Sequence, residues 1–333
     1  HSFQRSIGND ERGAASRARA GALRAPVGSV KDHSLPDRSL SCVNVPGSRI
    51  HHPATPYAFL LPSAAVLAVF FLLSMGQVAW YSLTRYSAFA PAEFVGFANY
   101  REIFSSKLLL ACLINSALYL LVTPALIAVS LLAAMCVDAK LRSMGWLRIA
   151  LFLPVVTPTV VAALAWRLLF AEDSGILNSA LGAIGVGPIR WLSEKPWTLV
   201  AAMMVTLWKG FGFYMMVFLA ALMAVPRELK EAASIDGAGR IRLFANVVLP
   251  SIWPAIALVF VISSISALKV FDEVFVTIGG TPLTHQTVVP LIYQLAFERG
   301  QFGLASSVGI TLFVIILAFS VVNLRMSSKR GEA

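Results

Sequence analysis

The chain has 333 residues, of which 57% are hydrophobic and only 13% charged, with a formal net charge of +10. Soluble domains carry about 25% charged residues, so water-soluble fold classes are excluded and an all-α integral membrane protein is expected. Lys and Arg fall mostly in loops and tails, where they orient a protein in the bilayer, so the positive balance is assigned to membrane lipid and not to nucleic acid.

Residues 1–55 hold eight basic residues, are rich in Arg, Ser, Gly and Pro, and lack hydrophobic periodicity, so they read as a disordered basic tail. The first methionine, Met75, lies inside the first apolar segment, which makes a misplaced start one reading of that tail. A helix needs ~20 apolar residues to cross the bilayer core. Six segments qualify, at 57–81, 108–136, 148–170, 197–223, 247–271 and 304–325. They define a six-helix domain over 56–326, followed by a short tail, 327–333. The intervening loops are about 26, 11, 26, 23 and 32 residues long, within the usual error of such boundaries.

Lys140 and Arg142, then Arg227, Lys230, Arg240 and Arg242, then Arg325, Lys329 and Arg330 concentrate basic charge on one side. The positive-inside rule therefore predicts cytoplasmic N- and C-termini in a multi-pass protein of the cell (inner or plasma) membrane. On the opposite side, residues 94–104 and 175–182 predict short amphipathic surface helices. Trp80, Trp191 and Trp197 fall where an aromatic belt is expected.

Polar residues within spans are the candidates for a substrate pathway. Lys209 falls near the middle of the fourth span, where a cation costs ~2.5–3.5 kcal/mol and must face a cavity or a partner. Trp166, Tyr214, Asn115, Thr157, Ser263 and Ser264 supply aromatic faces, hydroxyls and an amide within or beside spans. Structural pairing is the favoured account of Lys209, and interhelical hydrogen bonding is the commoner role for Ser and Thr residues in a membrane. Arg167 and Lys269 lie near span ends and are expected to snorkel, with Asp272 and Glu273 neutralising Lys269 or forming a docking surface. Pro158 and Pro254 are expected to kink their helices. His285 is a lone histidine and the cysteines are scattered, so neither a metal nor a catalytic site is expected.

The most informative stretch is the polar insert between the fourth and fifth spans. Pro226 suits a first helical position, Arg227–Asp236 reads as a short helix, and Gly237 ends it. A second short helix, 239–246, leads to Leu249 and Pro250, with Pro250 in the first turn of the fifth span. Leu229, Ala232 and Ala233 share one face, Glu231 lies beside it, and Phe244 is a candidate knob for a partner's groove. An ordinary interfacial helix without a partner fits the same residues.

The sequence Glu231, Ala232, Ala233, three residues, Gly237, nine residues, Val247, one residue, Leu249, Pro250 resembles the signature of ABC importer permeases, with Val in place of Ile at 247. Asp236 before the glycine resembles the sugar-transport branch. So do residues 152–159 (FLPVVTPT), 208–212 (WKGFG), 269–275 (KVFDEVF), 277–283 (TIGGTPL) and 293–297 (YQLAF). Their order is similar to that in the maltose and glycerol-3-phosphate importers, over about residues 55–325. The resemblance implies a coupling helix at Glu231, Ala232, Ala233, Asp236, Gly237, Phe244, Leu249 and Pro250. It also implies a second permease in a heterodimer, two cytoplasmic ATPase subunits that use ATP and Mg, and an extracytoplasmic solute-binding protein. No G-x-x-x-x-G-K-[ST] loop occurs, so no cofactor is expected on this chain and it is not expected to be an enzyme. The alternatives are a secondary transporter driven by an ion gradient, which would show internal repeats, and an ABC importer of a non-sugar solute.

Overall fold

The computed structural model describes residues 55–88, 90–138, 144–279 and 282–331. The expected tail up to residue 54, the basic pair Lys140 and Arg142, and residues 332–333 lie outside the described residues. The packing below is that of one compact unit, residues 63–333.

The described residues are mostly helical, as a bilayer demands, because a helix satisfies its backbone polar groups internally. Helix α1 (Thr55–Leu67) runs through a π-helical stretch, Ala68–Leu73, into α2 (Ser74–Ser82). Its large apolar side chains, Phe70 and Leu72 among them, are exposed. A two-stranded antiparallel hairpin follows, β1 (Thr84–Ser87) and β2 (Ala90–Phe94), with Thr84 opposite Phe94 and Arg85 opposite Glu93. The hairpin was not expected; strands this short carry no readable alternation. It is fixed by helix α3 (Ala98–Ser105), whose Asn99 Nδ2 donates to Ser82 O at 2.9 Å and Thr84 O at 2.8 Å.

The expected second span is α4 (Lys107–Tyr119) and α5 (Val122–Asp138), interrupted at Leu120–Leu121 ahead of Pro124. The expected third span is not one straight helix. Helix α6 (Met144–Val156) and α7 (Thr159–Leu169) meet at 95°. Pro158 caps α7 at ψ 131°, and proline drives the residue before it away from helical geometry. Helix α8 (Ile176–Ala183) is the second expected surface helix.

Helix α9 (Trp197–Ala224) is the core of the unit, packed along α5 and against α6. Small residues make close approach possible: Ala134, Ala201 and Ala202 are buried, and a Cβ at Gly212 would collide with the Leu151 carbonyl of α6. After the insert, helix α10 (Arg227–Ile235), come α11 (Arg240–Leu243), a π-helical turn at Phe244–Val248 and a short turn at Leu249–Ser251. The chain then breaks at Ile252 and turns by 66° into α12 (Trp253–Leu268). Pro254, not Pro250, therefore occupies the first turn of the long apolar helix. Helix α13 (Asp272–Ile278) ends at Gly279 in the left-handed conformation. Helix α14 (Val288–Tyr293) precedes the last helix, α15 (Phe302–Gly331), against which α2, α3 and β1 pack. A Cβ at Gly303 of α15 would collide with the Thr84 carbonyl.

Among the described residues four helical stretches are long and apolar enough to cross a membrane: Phe59–Ser82, Lys107–Asp138, Trp197–Ala224 and Phe302–Asn323. The number is six if each bent pair counts as one span.

Candidate functional site

Two places bring the predicted residues together. The first is the insert. Helix α10 ends in a complete Schellman arrangement: Ala238 N donates to Ala233 O at 3.0 Å, Gly237 N donates to Ser234 O at 3.2 Å, and Gly237 adopts φ +76°. Pro226 stands just before the helix with extended ψ 138°, so Arg227 is the first helical residue. Gly239 then starts α11, and the two short helices are joined at an angle through the glycine.

No residue of α10 or α11 is buried. Glu231, Ala232, Asp236 and Gly237 are exposed, and Ala233 is half-buried. Phe244 is half-buried against the main core and does not project as a free knob. The apolar residues that do project are Leu229, Ile235 and Ile241, the last two each 86% exposed. The sequence pattern missed the isoleucines because the alanine face drew the eye; their spacing across the glycine becomes meaningful only once the turn is known. Leu249 is half-buried and Pro250 exposed at the approach to α12.

The second place is a cavity of about 490 Å³ among α5, α6, α9, α12 and α13. Lys209, Tyr214 and Ser263 line it, as do Phe213 and Thr206. Besides Phe213 and Thr206, the lining includes Phe271, Asp272 and Glu273 at the start of α13 and Lys269, none of which the sequence pattern assigned to a pathway. The signal was present: two adjacent carboxylates inside an otherwise apolar run, 270–276. Among the described residues the one ion pair is Arg190–Glu194 at 2.9 Å, so neither Asp272 nor Glu273 closes on Lys269. Burial raises the Glu273 carboxyl above its ordinary value of 4.5, while its own backbone hydrogen bond and Lys209 pull it back and Asp272 pushes it up. Its cationic neighbour is thus Lys209 of α9. The lining combines aromatic faces (Phe213, Tyr214, Phe271), hydroxyls and both signs of charge, a surface suited to a polar solute with an apolar ring face.

The other predicted residues stand elsewhere. Asn115 binds backbone carbonyls of residues 284 and 286, each at 2.8 Å. Thr157 donates to Leu153 O at 3.4 Å beside the α6–α7 corner. Trp166 packs on Phe170 and Trp208, with ring centroids 5.4 Å and 5.9 Å away. Ser264 is buried and its hydroxyl has no partner among the described residues. Arg167 lies against the C-terminal end of α13, where a Cβ at Gly279 would sit 3.1 Å from its Nη2. A cation there complements the helix dipole. Trp191, expected in an aromatic belt, is only 8% exposed and donates Nε1–H to Asn178 Oδ1 at 2.9 Å.

Apolar helices long enough to cross a membrane, a cavity among them and an exposed helix–glycine–helix insert fit a membrane component. The chain matches the family described as the binding-protein-dependent transport system inner membrane component over residues 43–329, and it belongs to that family. It is 31% identical over 278 residues to the trehalose/maltose transport system permease protein MalF of Thermococcus litoralis, covering 83% of this chain and 94% of that one. It is 32% identical over 297 residues to the diacetylchitobiose uptake system permease protein NgcF of Streptomyces coelicolor, covering 83% and 84%. It is 31% identical over 284 residues to the sn-glycerol-3-phosphate transport system permease protein UgpA of Yersinia pseudotuberculosis, covering 83% and 95%. In fold it is similar to a bacterial ABC transporter involved in import of the acidic polysaccharide alginate, with a TM-score of 0.72 at 23% identity over 82% of this chain and 95% of that one. The chain is thus the permease component of a binding-protein-dependent importer and is not an enzyme in itself.

Proposed function

We propose that this chain carries a saccharide or related polyol through the cavity lined by Lys209, Phe213, Tyr214, Ser263, Asp272 and Glu273, using ATP hydrolysed by partner subunits. The relatives' named cargoes, trehalose/maltose, diacetylchitobiose and glycerol-3-phosphate, are polyhydroxylated, and aromatic faces beside hydroxyl and charged groups suit such solutes. The observation that carries the coupling half of the reading is the exposure of the insert. Leu229, Ile235 and Ile241 are exposed beside a glycine-terminated turn, and isolated apolar side chains so placed suit a groove on another protein.

Basic residues at 227, 230, 240 and 242 favour a cytoplasmic insert, six spans over 56–326 and cytoplasmic termini, with a short tail at 327–333. Glu231, Ala232, Ala233, Asp236 and Gly237 form the coupling element, with Leu249 and Pro250 leading from it to α12. A second permease completes the path, two ATPase subunits receive the inserts, and an extracytoplasmic binding protein delivers the solute. The test is uptake in liposomes by the chain co-expressed with these partners, using labelled maltose, trehalose and diacetylchitobiose. Uptake that requires both ATP and the binding protein is expected. Uptake driven by an ion gradient without ATP hydrolysis would overturn the reading.

A further inference from the structure

Helix α4 presents Cys112, Asn115 and Ser116 at the i, i+3, i+4 spacing of one face, and all three meet the backbone of residues 283–288. Cys112 Sγ lies 3.5 Å from Leu283 O, Asn115 Nδ2 donates to Thr284 O and Gln286 O, each at 2.8 Å, and Ser116 Oγ accepts from Val288 N at 3.0 Å. Asn115 Oδ1 accepts from Lys195 Nζ at 3.4 Å, which brings in the loop before α9. Thr287 Oγ1 donates to Val270 O at 3.4 Å, tying the same segment to the residues that precede α13. The clasp sits in an apolar cluster that includes Cys112, Val288 and Leu291, where an unpaired carbonyl is costly.

The same segment carries an opposing load. Gln286 is fully buried, and neither its Nε2 nor its Oε1 has a hydrogen-bond partner among the described residues. A buried amide without partners disfavours the docked arrangement, while Asn115 favours it. Release into water would satisfy the Gln286 amide and the freed carbonyls together, so clasp and load set the balance of a two-state element. That element is joined to the cavity, because Val270, Asp272 and Glu273 line it and Val270 accepts from Thr287.

We propose that Cys112, Asn115 and Ser116 form a latch on residues 283–288, and that its release is required each time the cavity changes the side to which it opens. The latch rests on the importer reading above. Asn115 is then a positioning residue that holds the segment and touches no solute.

Asn115→Leu and Gln286→Leu test the latch in opposite directions. Both are assayed in the complete complex in liposomes, reading ATP hydrolysis with and without the binding protein. Asn115→Leu is expected to raise hydrolysis in the absence of binding protein by about five- to thirty-fold, the population shift that two lost neutral hydrogen bonds produce. Gln286→Leu removes the load and is expected to lower the binding-protein-stimulated rate by about fivefold or more. Shifts in the same direction, or no shift in either, overturn the latch. Should Asn115→Leu not assemble, Leu283→Cys beside native Cys112, with Cys42→Ser and Cys136→Ser, is bridged by a short thiol cross-linker. Hydrolysis is expected to stop and to recover on cleavage of the bridge; undiminished hydrolysis in the bridged complex overturns the proposal. An unaltered complex whose hydrolysis ignores the binding protein would instead overturn the importer reading, and the latch with it.

Discussion

Asn178 makes four hydrogen bonds from one side chain: Nδ2 to Glu172 O and Ile189 O at 3.0 and 2.9 Å, and Oδ1 from Ile189 N and Trp191 Nε1 at 3.2 and 2.9 Å. It closes the loop between α7 and α9 and is buried. Asn178→Ala should cost on the order of 3 kcal/mol, since each bond contributes about 1 kcal/mol net and the loop carbonyls lose their donor. Thermal unfolding in detergent, with a red shift in Trp191 emission, reads the loss. His285 makes a second residue-scale prediction. Burial first, and then the Lys195 ammonium, hold its imidazole below the ordinary value of 6.5. The neutral form is favoured in the fold, so this contribution to stability is fully present above pH 6.5 and is lost as pH falls through the lowered value. The unaltered protein should therefore lose more thermal stability between pH 7.5 and pH 5 than His285→Gln; equal losses would contradict this. Neither residue's role was legible in the sequence. Asn178 sits in an unremarkable GILNSALG run, and His285 stands alone; their partners are 6 to 90 positions distant and are brought together only by folding.

At the scale of elements, hydrophobic length and proline chemistry were legible and direction was not. Pro158 was expected to kink a helix, yet a kink and a 95° corner have the same sequence. What decides is that α7 finds its packing on α13 and α9, so the chain turns where the proline has already removed helical geometry. The insert fared differently, because its signals are local. Gly237 takes the left-handed conformation that ends α10, and nothing lies within 4 Å of a Cβ there, so its constraint is purely conformational. Which side chains the turn displays followed from geometry alone. Ile235→Asp with Ile241→Asp should leave the permease folded, since both project freely, but weaken ATPase-subunit binding by at least about tenfold, as burial of an isoleucine contributes about 1.5–3 kcal/mol. Titration of the purified ATPase subunit against permease in nanodiscs measures it; unaltered affinity would remove the isoleucines from the joint.

For the whole molecule, orientation in the bilayer sets which face meets each partner. Single cysteines at Ser234 and at Ser179, in a background lacking the native three, should react with an impermeant maleimide only from the cytoplasmic and only from the extracytoplasmic side, respectively. Labelling of both from one side would contradict the topology. The sequence by itself determined that this is a membrane protein built from long apolar segments, because composition and length decide that, and it carried the resemblance to a permease family in one contiguous motif. Only the tertiary structure decided which polar residues share a cavity, that two of the expected segments are sharply bent, and that Asn115 clasps a loop 169 to 171 residues away. The reason is physical. A polar residue inside a membrane must find a partner or a wet cavity, the sequence states that requirement at each position, and only the packing of distant helices determines which of the two it meets.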